Sequence, residues 1–206
     1  MTNDQNSTAS TILTVAREMF ARRGYDGTSV RAISSRAGVN LGAITYHFGS
    51  KAELYDEVIL SVVGPLRARV EAVAAGPGAP RDKLADVLAA YFDHFAHTPE
   101  MPKLVIQQFF TGRPLSEGLR TSMEAILGAL VEVIRAGQGR GEFRTGSPPL
   151  LALSLLSQPI YFNIIRGRLA EAGVVDLTEP AQYRAVVDHV TRFALAGLTR
   201  DPGATA

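Results

Sequence analysis

Cysteine is missing from all 206 residues, which removes disulfide scaffolds, thiolate metal sites and cysteine nucleophiles together. Residues 1–25 contain no basic segment followed by an apolar one, so no secretory signal is expected. Long apolar runs are lacking as well. A bilayer-spanning helix needs about 20 consecutive apolar residues, and the nearest approach, 146–165, is interrupted by serine, proline, glutamine and asparagine. A cytoplasmic protein is expected. No P-loop, dinucleotide fingerprint, Gly-x-Ser-x-Gly elbow or HExxH is present, and the four histidines show no nucleophile partner. Neither an enzyme nor a cofactor is expected.

Excess charge is also absent, the net value being +1, but its distribution is uneven. Residues 1–51 carry Arg17, Arg22, Arg23, Arg31, Arg36 and Lys51 against Asp4, Glu18 and Asp26. A basic end on a near-neutral body suits a chain whose N-terminal part alone meets phosphate. The remaining composition, 46% hydrophobic and 20% charged, is that of a core-forming globular protein.

The stretch TSVRAISSRAGVNLGAITYHFGSKAEL, Thr28 to Leu54, is the most informative. Thr28-Ser29 precedes the periodic residues Val30, Ile33 and Ala37, as at a helix start. Gly38 supplies a residue that leaves a helix in the left-handed conformation without a Cβ penalty. Asn40 then caps a second short helix, Leu41 to His47. Helix, glycine turn and helix at this spacing form a helix-turn-helix, which reads DNA. An earlier helix, from about Thr8 to Gly24, brings Ile12, Val15, Ala16, Met19 and Phe20 to its core, with residues 1–7 frayed. Phe20 and Phe48 are expected inside. Ser50-Lys51-Ala52-Glu53 reads as a capping box opening a fourth helix, with a kink and a joint at Pro65.

After the break at 76–80, GPGAP, the pattern stays helical with no alternating strand and no internal repeat. Helices are expected over Leu84–His97, over Leu104–Phe110 with its end at Gly112 and Pro114, and over Leu115–Ala136 with Gly137 to Gly139 as terminator. Two more follow: Leu150–Ala170, locally broken at Pro159, and Glu179–Thr199. The expectation is an all-α chain of about nine helices: a three-helix DNA-binding head, 8–54, and a helical body, 55–200. LLALSLLSQPIYFNII is apolar around much of its circumference and must be covered on more than one side. The last helix covers one face and a symmetry mate the other, giving a homodimer through the last two helices. Two heads on a two-fold axis then read half-sites about 34–36 Å, or a multiple, apart.

Ala16-x-x-x-Phe20, Arg23-Gly24-Tyr25, Thr28-Ser29-Val30-x-x-Ile33, Ala37-Gly38-Val39, Tyr46-His47-Phe48 and Ser50-Lys51-x-x-Leu54 form a spaced set. Over Ile12 to Val58 the chain resembles the tetracycline-repressor (TetR) family of bacterial transcriptional regulators. The resemblance implies that Lys51 and the helix start beside it hold a phosphate. Tyr46, His47, Ser29 and Arg31 would add contacts to the DNA backbone, Arg31 alternatively reaching a base edge, and Asn40, Leu41, Gly42, Ala43 and Thr45 would face the major groove. Thr45 stands where members often carry a tyrosine that contacts the backbone; its methyl suits a thymine.

The resemblance further implies that the body holds a small-molecule effector whose binding weakens operator affinity, and that the regulator is a repressor. The candidate lining is His94, Met101, Gln107, Phe110, Met123, Gln158, Tyr161, Asn163 and Arg166. His94 and His97 lie a turn apart beside Asp93, an arrangement that a solvated helix face explains better than a metal site. A competing reading is a helical small-molecule-binding or scaffold protein with a non-functional head. Intact Lys51 and an intact Asn40–His47 surface speak against it.

Overall fold

The computed structural model describes residues 2–110 and 114–199, with side chains from Ser7 onward. Among the described residues nine helices make up the fold, in the order α1 (Thr2–Arg23), α2 (Val30–Ala37), α3 (Leu41–Phe48), α4 (Lys51–Ala75), α5 (Pro80–His97), α6 (Met101–Phe110), α7 (Glu117–Gly139), α8 (Pro148–Glu171) and α9 (Pro180–Leu198). Two compact units divide them. One holds α1 to α3, α4 as far as Gly64, α6, and α7 as far as Thr121; the other holds Pro65–Pro99 and the chain from Ser122. Pro65 sits at that division, inside a continuous α4.

In the first unit, α1 packs against α2, α3 and α6. Its core is Ile12, Ala16, Phe20, Ile33, Ile44, Leu54 and Val58, all at or near complete burial. Each large apolar side chain so buried contributes about 1.5–3 kcal/mol, which short helices such as α2 and α3 need because they are marginal alone. Phe48 is only half-buried and borders His47, its ring centroid 6.2 Å away. The frayed start expected for α1 is helical from Thr2, since propagating a formed helix costs little once it is nucleated.

In the second unit α5 packs against both α8 and α9, with Phe92, Val186 and Val190 at the centre of one cluster. Two expectations change here. Pro159 does not break α8, which runs unbroken from Pro148 to Glu171; Pro159 is buried, and Asn163 Nδ2 donates to its carbonyl (2.8 Å). Gly137 does not terminate α7, which continues to Gly139. Beyond Gly139 the chain turns away at Gly141 (φ 72°), where Gly141 N–H bonds Gln138 O (3.0 Å) and Glu142 N–H bonds Gly137 O (2.9 Å). That pair of bonds is a Schellman closure. Gly112, expected to end the sixth helix, lies outside the described residues.

Candidate nucleic-acid interface

The turn between α2 and α3 is built by two bonds and a glycine. Gly38 has φ 68° and ψ 28°, and its amide and that of Val39 return to Ser35 O and Ser34 O. A residue with a Cβ would be strained there. Ser29 is the cap of α2, its Oγ accepting from Ala32 N–H (3.1 Å). Thr28 is not a cap: it is buried, and its hydroxyl donates to Gly24 O (2.8 Å), tying the α1–α2 turn. Asn40 caps α3 by accepting from Ala43 N–H (2.8 Å) through Oδ1.

These caps fix the face that α3 presents. Ile44 is buried, while Asn40, Leu41, Gly42, Thr45 and Tyr46 are exposed and Ala43 and His47 half-exposed. At helical spacing Gly42, Thr45 and Tyr46 lie opposite Ile44. Tyr46 is 73% exposed, its ring edge-on to His47 at 5.0 Å, so it is not a core residue. The surface offered is therefore small, polar at its ends and free of large side chains at its centre.

Around it the charges sort into two groups. Arg36 pairs with Glu18 (2.7 Å) and Arg17 with Glu100 (2.8 Å), so both hold the unit together. Arg22, Arg23 and Arg31 are exposed. Lys51 opens α4, where Ser50 Oγ accepts from Glu53 N–H (3.2 Å). The reciprocal half of the expected capping box is not made: Ser50 N–H bonds Phe48 O (2.8 Å), and the Glu53 carboxylate lies against the bare Cα of Gly49. The amides of Lys51 and Ala52, as first-turn groups, have no carbonyl within the helix to bond. Lys51 Nζ stands 4.2 Å above the ring of Tyr25, a contact the sequence reading missed.

The effector residues are less coherent. Met101, Gln107 and Phe110 fall in the first unit and the other six in the second. Phe110 is 81% exposed. Asn163 is buried, but its amide is satisfied inside its own helix. Gln107 differs, because its Oε1 is buried and has no hydrogen bond among the described residues, which costs free energy. In the second unit a groove of about 530 Å³ runs between the end of α4, the start of α5 and α7, lined by Glu71, Lys83, Glu132, Arg140 and small residues. None of the nine candidates lines it. Asp93 is engaged by Arg69 and by His97 Nδ1 (3.5 Å).

Residues 12–58 match the family described as "Bacterial regulatory proteins, tetR family", and residues 80–193 match "Tetracyclin repressor-like, C-terminal domain". The chain belongs to the TetR family. It is a DNA-binding transcriptional regulator, and members of the family generally dimerise, respond to small molecules, act in the cytoplasm and are not enzymes. Among similar proteins is the HTH-type transcriptional repressor NicS of Pseudomonas putida, 27% identical over 198 residues, which are 94% of this chain and 93% of NicS. The HTH-type transcriptional activator FasR of Mycolicibacterium smegmatis is 26% identical over 194 residues, 93% and 83% of the two chains. The solved ketosteroid transcriptional regulator KstR2 of Mycobacterium tuberculosis shares the fold at a TM-score of 0.75 and 22% identity, over 94% of this chain and 95% of that one.

Proposed function

We propose that this TetR-family chain is a cytoplasmic, effector-responsive repressor that binds a palindromic operator as a homodimer. The observation carrying the DNA assignment is the exposed face of α3 around buried Ile44, flanked by Lys51 at the start of α4. Lys51 and the free amides beside it take a phosphate, joined by Ser29, Arg31, Tyr46 and His47. Ser29 still has its hydroxyl proton to donate, since only its oxygen is used in the cap. Asn40, Leu41, Gly42, Ala43 and Thr45 enter the major groove, where Gly42 and Ala43 permit close approach. The DNA-binding head is residues 8–54 and the effector-binding and dimerising body 55–200. Among the nine proposed effector residues Gln107 is the strongest, because its buried acceptor lacks a donor among the described residues. Repression agrees with NicS by name, and FasR is the contrary case.

The test is binding to DNA flanking the chain's own gene, measured by fluorescence anisotropy at several salt concentrations against random DNA. Affinity should fall with salt yet still separate operator from random sequence. Lys51→Ala should weaken both about equally and lower the salt slope by roughly one. Thr45→Ala should instead change the ranking of operator variants at one base pair, by about 0.8 kcal/mol, the worth of one buried methyl. Absence of binding to either DNA at low salt would end the proposal.

A further inference from the structure

We propose that Tyr25 is a positioning residue for operator binding, its ring holding the Lys51 ammonium where the phosphate will be met. This rests on the reading of Lys51 as a phosphate anchor. The ring is itself fixed. Gly24 (φ 71°) ends α1, Thr28 N–H bonds Tyr25 O (3.2 Å), and the Thr28 hydroxyl holds Gly24 O, so the turn carrying Tyr25 is closed at both ends. Behind it, Tyr55 meets the Tyr25 ring edge-on at 5.1 Å and Phe20 lies parallel at 6.1 Å, while Tyr55 and Phe20 are edge-on at 4.8 Å. Phe20 and Tyr55 are buried, and Tyr25 is half-buried. Lys51 Nζ stands 4.2 Å from the Tyr25 centroid.

A lysine side chain is a flexible four-carbon stem, and anchoring it on a phosphate removes rotamer freedom. A cation over an aromatic face is attracted by the ring quadrupole, within about 6 Å. The ring occupies one side of the ammonium and leaves the others for acceptors, because the three N–H groups cannot all point at one face. Lys51 therefore reaches DNA already ordered, next to the first-turn amides of α4. The phosphate is added to the ring contact and does not replace it.

The full-length chain and a DNA fragment containing its operator are used. Dissociation constants are measured for the wild type, Tyr25→Leu, Tyr25→Phe, Lys51→Ala, and Tyr25→Leu combined with Lys51→Ala. Tyr25→Leu is expected to weaken binding about two- to fivefold, the size of an exposed cation–π contact. Tyr25→Phe should stay within about twofold of wild type, because the ring and its quadrupole remain. In the Lys51→Ala background Tyr25→Leu should add nothing. Equal losses in both backgrounds would make Tyr25 merely structural, and tighter binding by Tyr25→Leu would make the ring a competitor of DNA; either overturns the proposal. If Lys51→Ala leaves affinity and salt slope unchanged, the anchor reading itself is wrong. Loss with Lys51→Ala but none with Tyr25→Leu overturns only the positioning role. NMR supplies a test independent of how the leucine variant folds. The Lys51 Hε protons should show an upfield ring-current shift both free and operator-bound, and its disappearance on binding would overturn the proposal.

Discussion

Phe143→Ala is expected to destabilise the chain by about 3–5 kcal/mol, the cost of removing a buried aromatic ring and leaving its cavity. Phe143 is 2% exposed. Its ring lies on Gly137 so closely that a Cβ built there would stand 2.1 Å from it. Its backbone bridges Thr199, and the next amide, Arg144 N–H, bonds Leu198 O at 2.7 Å. The ring thus packs on the end of α7, while the backbone that carries it ties the turn to the end of α9. Collapse around the gap is resisted because the glycine backbone opposite has no side chain to move in. Gly137→Ala should also destabilise, by about 1–3 kcal/mol, through overpacking against the same ring. Urea unfolding followed by circular dichroism measures both. A loss below about 1 kcal/mol for Phe143→Ala would mean that the ring is not buried as described.

The Gly137 case shows what sequence can and cannot express. Gly38 was legible because a glycine followed by Asn40 and a new apolar period has one economical reading, a left-handed exit and a new cap. Gly137 carries the same letter, but its purpose is set by Phe143, and nothing local distinguishes a glycine that ends a helix from one that admits a ring. Pro159 is similar: its local preference is to break a helix, and burial against the rest of the body overrides it. The caps Ser29 and Asn40, the buried Ile33 and Ile44 and the exposed Thr45 all follow from spacing within one helix, so the exposed face of α3 could be laid out in advance. Pairings between separate elements could not. Arg36 with Glu18, Arg17 with Glu100 and Lys51 with Tyr25 depend on packing, so two arginines counted as basic surface turn out to be tied up. An effector site is illegible for the same reason. A pocket is a relation among walls, and residues chosen for polarity within helices, such as Asn163, can be satisfied by their own backbone.

Leu153→Glu combined with Phe193→Glu is expected to give a folded monomer whose operator affinity is lower by about 10²–10⁴-fold, the advantage lost when a second contact ceases to be intramolecular. Along α8 the positions 150, 153, 157, 161 and 164 recur at steps of three and four, which places them in one stripe. Leu150 is 65% exposed, Leu153 52% and Tyr161 60%, with Ser157 keeping the middle of the stripe small. On α9, which packs against α8, Phe193 is 64% exposed. Apolar side chains arranged so lower their free energy by meeting a copy of themselves, and a two-fold contact places each stripe against its equivalent. A carboxylate at the centre of that contact would have to be desolvated without a partner, a cost the exposed monomer avoids. The variant should therefore keep its helical circular dichroism signal and its weak, salt-sensitive affinity for random DNA, since each head is untouched. Sedimentation velocity reads the oligomer and anisotropy the operator affinity. A variant that sediments as a dimer would place the interface elsewhere. One that becomes a monomer yet binds the operator as before would show that a single head suffices.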